Sequence, residues 1–208
     1  MSIIICPGIH TPEITEGFLA GLGLLSNGSN FNYSGNILIF PTQDYSSLST
    51  LHIVNFLSNR LGSPQPTPPL VFISFSAGVV GAIGAAWIWQ LLGGKVKAFI
   101  ALDGWGVPLF GNFPMHRLSH DFFTYWSSAC LGSGADSFYA DPAVEHLELW
   151  RSPQTIQGWW IHSPVGKSQV RTYLTAAQFL TMLLERYEEG QGDTETRGQG
   201  DMGSINRN

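Results

Sequence analysis

The sequence predicts an α/β protein: a mostly parallel sheet in a three-layer sandwich. Three observations point there. Short runs of branched and aromatic residues alternate with segments of helical periodicity through the first half of the chain. Those runs are apolar at consecutive positions, so each strand buries both faces, as parallel strands covered by helices do. Finally, one run, "LVFISF" (70–75), passes within a residue into "AGVVGAIGAAWIWQLL" (77–92), a helix of small residues suited to close packing.

The elements follow in order. "SIIIC" (2–6) reads as a buried strand ended by Pro7 and Gly8. A helix then starts with Thr11 as N-cap, Pro12 at the first helical position, and Glu13 and Glu16 favouring the positive helix end. "NILIFP" (36–41) is the next strand. Leu48, Leu51, Val54 and Leu57 recur at helical spacing, and the prolines of "SPQPTPP" (63–69) require a loop. "VKAFIALDG" (96–104) supplies a fourth strand ending on Asp103.

Residues 104–134 are less regular and strongly aromatic, and read as a possible cap, with Ser119 capping a helix to about Leu131. Ser152 and Pro153 signal another helix start, with Ile156, Trp159 and Trp160 on one helical face. "VRTYLTAAQFLTMLLERY" (170–187) reads as one amphipathic helix. The polar, glycine-rich segment 188–208 is expected to be a disordered tail, leaving 1–187 as a single domain.

Composition excludes several functions. The 208 residues carry a net charge of −5 with no basic cluster, which disfavours a nucleic-acid partner. The N-terminal apolar run lacks a basic flank and is too short for a signal peptide or a membrane span. Cys6 and Cys130 sit in apolar surroundings without metal-ligand spacing, so a cytoplasmic protein with two reduced core thiols is expected, a disulfide between them being the alternative. No cofactor and no metal are expected: there is no ligand-spaced cluster, P-loop lysine or GxGxxG turn.

Ser76 stands between "LVFISF" and the small-residue helix. Serine there fits either a helix cap or a nucleophile held on a strained strand-to-helix turn. A nucleophile elbow requires small residues two positions to either side, and these are Ser74 and Gly78 in "SFSAG". Gly78, Gly81 and Gly84 smooth one face of the helix, so that it can lie close on the sheet and aim its positive end at the turn. The Ala77 amide is then the first donor to an oxyanion.

By these features the chain resembles the α/β-hydrolase family, notably small lipase- and esterase-like serine hydrolases, over most of residues 2–187. The resemblance implies a reduced α/β-hydrolase fold with a small aromatic cap. It also implies a second oxyanion donor, the Ile9 amide, in the loop "CPGIH". Pro7 and Ser74 stand where the family usually has histidine and glycine.

A serine nucleophile needs a histidine base oriented by a carboxylate, which in this family follow the serine as acid, then histidine. Asp103 ends its strand at the edge where parallel sheets build sites, and "LDGWGVP" looks like the acid loop of certain lipases. Asp141 is the alternative acid. For the base, the resemblance favours His146, ahead of a proline-started helix. His120 and His162 compete, and His162 would pair with Asp141 if its segment were the last strand. His116 lies in an irregular stretch.

Trp105, Phe110, Phe113, Phe122, Phe123 and Trp126 would line an apolar wall, pointing to a small-molecule ester with an apolar acyl or alcohol group. The expected activity is carboxylic-ester hydrolysis through an acyl-enzyme. Thioester hydrolysis, acyl transfer, and a non-catalytic binding or assembly role are the alternatives.

Overall fold

The computed structural model describes residues 1–25, 35–132, 134–162 and 168–190. Among them eight strands, β1 (Ser2–Cys6), β2 (Asn36–Ile39), β3 (Leu70–Phe75), β4 (Val96–Leu102), β5 (Met115–Ser119), β6 (Asp136–Ala140), β7 (Gln157–His162) and β8 (Val170–Thr175), form one sheet. Its order is β2-β1-β3-β4-β5-β6-β7-β8. Strands β1 to β6 are parallel; β7 pairs antiparallel with β6, and β8 antiparallel with β7. Six helices accompany them: α1 (Pro12–Gly21), α2 (Thr50–Leu61), α3 (Ala77–Leu91), α4 (Phe122–Ala129), α5 (His146–Arg151) and α6 (Ala176–Glu188). The protein is α/β with a mostly parallel sheet between helical layers.

Strand alternation divides the core in two. Ile3 and Ile5 of β1 join Phe18 of α1, Trp150 of α5 and Phe179 and Leu183 of α6 on one face. Ile4 and Cys6 join Ile53 and Leu57 of α2 and Val79, Ala82 and Trp89 of α3 on the other. Every residue of β1 and β3 is buried, as their unbroken apolar runs require. Helix α1 opens with Pro12 in its first turn after Thr11. Ser49 caps α2, its side chain accepting from the His52 amide.

From β1 the chain moves to one side to form β2, and from β3 it moves to the other side to form β4. The carboxyl ends of β1 and β3 therefore flank a topological switch point, where open parallel sheets leave a crevice for ligands. The loop starting at Pro7 and the turn at Ser76 both emerge there.

The glycines of α3 have distinct jobs. Only Gly78 approaches the sheet: a Cβ there would run into the Cys6 and Pro7 carbonyl oxygens. Gly81 and Gly84 instead admit the Ser47 carbonyl and the Thr50 side chain, at the start of α2. Gly78→Val is expected to destabilise the fold by on the order of 3 kcal/mol, because rigid backbone must move to admit the side chain. Urea denaturation reads this directly; an unchanged midpoint would mean that the β1 loop gives way freely.

The second half departs from the sequence reading. Residues 104–134 are not a continuous cap, since β5 lies inside the sheet between β4 and β6. Ser119 ends that strand, and the helix that follows is capped by Asp121, which accepts from the Thr124 amide at 2.7 Å. The segment after Ser152 is strand β7, not a helix. Gly158 lies so close to β6 that a Cβ would meet the Tyr139 carbonyl, and the bulky Trp159 and Trp160 suit a pleated surface. Residues 170–187 split into β8 and α6, divided at Thr175, where a capping box with Gln178 starts the helix. Cys130 is exposed rather than in the core, Cys6 is buried, and both are free thiols. Most of the expected tail, 191–208, lies outside the described residues, whereas Glu188 belongs to α6. Among the described residues, no helix is long and apolar enough to cross a membrane.

Candidate active site

Ser76 follows β3 with φ 50° and ψ −123°, a backbone conformation that is costly for a residue with a Cβ. Its amide donates to the Leu102 carbonyl at 2.9 Å, which fixes the turn against the end of β4. Ser76 occupies the N-cap position of α3, yet its side chain makes no capping hydrogen bond. The hydroxyl instead donates to His146 Nε2 at 3.0 Å.

His146 Nδ1 in turn donates to Asp103 Oδ2 at 2.9 Å. Asp103 ends β4 and also has positive φ, 49°. Its amide is held by the Leu118 carbonyl at 2.8 Å, and its side chain is only 1% exposed. The three residues form one chain of hydrogen bonds, Ser76 to His146 to Asp103, at the carboxyl end of the parallel strands.

Aromatic packing sets the His146 ring. His146 is the first residue of α5, and Trp150 lies one turn further along the same helix. Phe75, next to Ser76 in sequence, stacks on both: its ring centroid is 4.7 Å from His146 and 5.1 Å from Trp150. Trp150 stacks on Phe18 at 3.7 Å. The column Phe18–Trp150–Phe75–His146 ties the imidazole to the buried core.

A second imidazole reaches the same carboxylate. The His120 amide donates to Asp103 Oδ1 and its Nδ1 to Oδ2, both at 2.9 Å. Those bonds raise the His120 pKa above its ordinary value, against the opposing effect of burial. His120 therefore approaches the acid rather than Ser76. The sequence marked it as a competing base but carried no sign of this shared contact.

The other candidates lie elsewhere. Asp141 accepts from Trp159 Nε1 at 2.9 Å, and His162 donates to Asp136 Oδ1 at 2.6 Å, so Asp141 and His162 do not pair although their segments are neighbouring strands. His116 is fully buried in β5, where Nε2 bonds the Tyr187 hydroxyl at 2.7 Å. Of the expected oxyanion donors, Ala77 is the first residue of α3, where an amide has no intrahelical acceptor. Gly8 lies close to Ser76, where a Cβ would fall 3.0 Å from the Ser76 Cβ, and Ile9, the next residue, is exposed.

Above the serine lies a cavity of about 490 Å³ lined by Ala77, Val80, Trp105, Val107, Phe123 and Thr124 with Ser76, Asp103, His120 and His146. Of the expected aromatic wall, only Trp105 and Phe123 line it. Phe113 is buried against Phe99, Phe110 packs on Trp87, and Phe122 on Tyr139.

Arg117 shapes this wall from below. It is buried, and its guanidinium donates to the carbonyls of Gly104, Val107, Leu131 and Gly132. Burial pulls its pKa down to about 10. These bonds tie the Trp105 loop to the end of α4. No protein-family model matches the chain, and no curated protein sequence matches it.

Proposed function

We propose that this protein is a serine hydrolase of the α/β-hydrolase type that cleaves a carboxylic ester with an apolar acyl group. The observation that carries the reading is the hydrogen-bonded chain Ser76–His146–Asp103 with its serine on a positive-φ turn. A serine that merely capped α3 would need neither the strained turn nor an imidazole on its hydroxyl. Both serve a nucleophile.

The chemistry follows from the positions. Ser76 Oγ attacks the ester carbonyl while His146 Nε2 takes its proton, and Asp103 orients the ring and stabilises the imidazolium. The amides of Ala77 and Ile9 receive the oxyanion. The imidazolium then protonates the leaving alcohol, and water, activated by the same ring, releases the acid.

The apolar wall of Val80, Trp105, Val107 and Phe123 suits an acyl chain. Among the described residues that line the cavity there is no Lys or Arg, so nothing there would hold the phosphates of a carrier thioester. This favours a simple ester over a carrier-bound acyl group. The free thiols Cys6 and Cys130 fit a reducing, cytoplasmic setting.

Covalent labelling with a fluorophosphonate tests the proposal. Wild-type protein is expected to gain one adduct, mapped to Ser76, and the Ser76→Ala variant none. Folded wild-type protein that takes up no probe would exclude an activated serine and leave a non-catalytic binding role.

A further inference from the structure

A serine relay needs one imidazole on its carboxylate, and this site has two. His120 Nδ1 and His146 Nδ1 each lie 2.9 Å from the same oxygen, Asp103 Oδ2. The three ligand atoms are all within 4.8 Å of one another, and their neighbourhood opens on the 490 Å³ cavity. We propose that Asp103, His120 and His146 form a binding site for a zinc-type divalent cation, whose occupancy switches the serine off.

The donor set matches that ion class. Two imidazole nitrogens and one carboxylate oxygen suit a borderline metal such as Zn²⁺, while Mg²⁺ and Ca²⁺ prefer all-oxygen ligands. Three protein ligands leave a fourth tetrahedral position for water on the cavity side. A tetrahedral ion with bonds of about 2.0–2.1 Å holds its ligand atoms roughly 3.3 Å apart. The two 2.9 Å separations from Asp103 Oδ2 would widen by a few tenths of an ångström, and the two imidazole nitrogens, within 4.8 Å of each other, would close by up to roughly 1.5 Å through ring rotation.

Access and charge agree. The His120 and His146 side chains are 25% and 42% exposed, so an ion can reach both rings. The carboxylate of Asp121 lies 3.8 Å from His120 Nε2, and Glu145 adjoins His146, so acidic groups surround the site. Among the described residues that line the cavity no Lys or Arg opposes a cation.

Binding changes the tautomer of each ring. A neutral ring that coordinates through Nδ1 moves its proton to Nε2 by exchange with solvent, with no net proton gained or lost. His146 then presents Nε2–H to Ser76 and no longer an acceptor, so the hydroxyl loses its base. The metal site itself does not depend on the hydrolase reading; the loss of serine reactivity does.

The test is titration of metal-free protein with Zn²⁺ in competition with a chromophoric zinc indicator. One Zn²⁺ per chain is expected. His120→Ala and His146→Ala should each weaken binding by about tenfold or more, and Ser76→Ala should not change it. Mg²⁺ and Ca²⁺, added alone, should not compete. In parallel, Zn²⁺ should slow fluorophosphonate labelling of Ser76 in step with occupancy, and a chelator should restore it. No saturable binding to folded wild-type protein, or binding equally tight in both histidine variants, overturns the site. Saturable binding that leaves labelling unchanged overturns the switch. If metal-free Ser76 never labels, the hydrolase reading falls while the titration still decides the metal site.

Discussion

Replacing His146 with alanine is expected to lower turnover of an activated aryl ester by about 10³-fold or more, whereas His162→Ala leaves it unchanged. Both residues follow Ser76 in sequence and both donate to an aspartate, but the aspartates lie at opposite ends of the sheet. Asp103 follows β4 at the carboxyl edge, where Ser76 also emerges. Asp136, the partner of His162, is the first residue of β6, at the amino edge of the same parallel strands. Of these two histidines only His146 bonds a serine hydroxyl as well as a carboxylate, at 3.0 Å and 2.9 Å. The loss should fall on kcat rather than KM, because the proton transfer matters in the transition state and not in binding. His146 is partly exposed at the head of a short helix, so its removal opens no large core cavity, and circular dichroism can verify the fold. Turnover kept at the wild-type level in His146→Ala would remove it as the base.

Local signals made the Ser76 turn legible in the sequence. An unbroken apolar strand, small residues on either side and a helix of small residues all lie within 25 residues of one another, and the structure uses each of them. Asp103 was legible for a similar reason, since it ends a strand whose direction the parallel sheet dictates. The base was not. Four histidines satisfy the chain order, three of them ranked as candidates, and what sets His146 beside Ser76 is a column of rings drawn from α1, β3 and α5, which no spacing encodes.

Strand β5 escaped notice because "MHRLS" puts a histidine and an arginine in the middle of a sheet. Burial of these residues is compensated by Tyr187 and by four loop carbonyls, all distant in sequence from at least one of them. At β7 helical periodicity and structure disagree. Ile156, Trp159 and Trp160 recur at three and four residues, as a helix would have them, but their segment pairs with β6 and β8 instead. Packing against the sheet outweighed local pattern there.

Asp136→Ala is expected to cost about 3–5 kcal/mol of unfolding free energy. The Asp136 side chain is fully buried, and it joins the last parallel strand to the two elements that complete the domain. Oδ1 accepts from His162 at 2.6 Å and from Trp160 Nε1 at 2.9 Å, both on β7; Oδ2 accepts from Arg186 on α6 at 2.6 Å. Truncation would strand these donors and leave the Arg186 charge without its carboxylate. Urea denaturation at neutral pH measures the loss, and an unchanged midpoint would mean that apolar packing alone holds α6 in place.

The same cluster gives stability a particular pH dependence. His116 Nδ1 is buried without a hydrogen-bond partner, 3.6 Å from Asp136 Oδ2. Burial lowers the His116 pKa to about 4; the Asp136 charge opposes that shift and the Arg186 charge adds to it. Below pH of about 6.5 the unfolded chain takes up a proton that the folded chain refuses, so this contribution is complete above that value. It declines as pH falls toward 4, by on the order of 3 kcal/mol. For Asp136, burial pushes the pKa up, but hydrogen bonds from Arg186 and Trp160 and the Arg186 charge outweigh it, leaving the carboxyl below its ordinary value. Its contribution is therefore present above the ordinary aspartate range and is lost only as pH falls through the depressed folded value. Acid should unfold the protein in two steps of sensitivity, histidine first. His116→Gln, which can still bond Tyr187, should flatten the slope between pH 6.5 and 4 and keep the lower one. Parallel profiles for variant and wild type would show that His116 titrates in the folded protein as freely as in the unfolded chain.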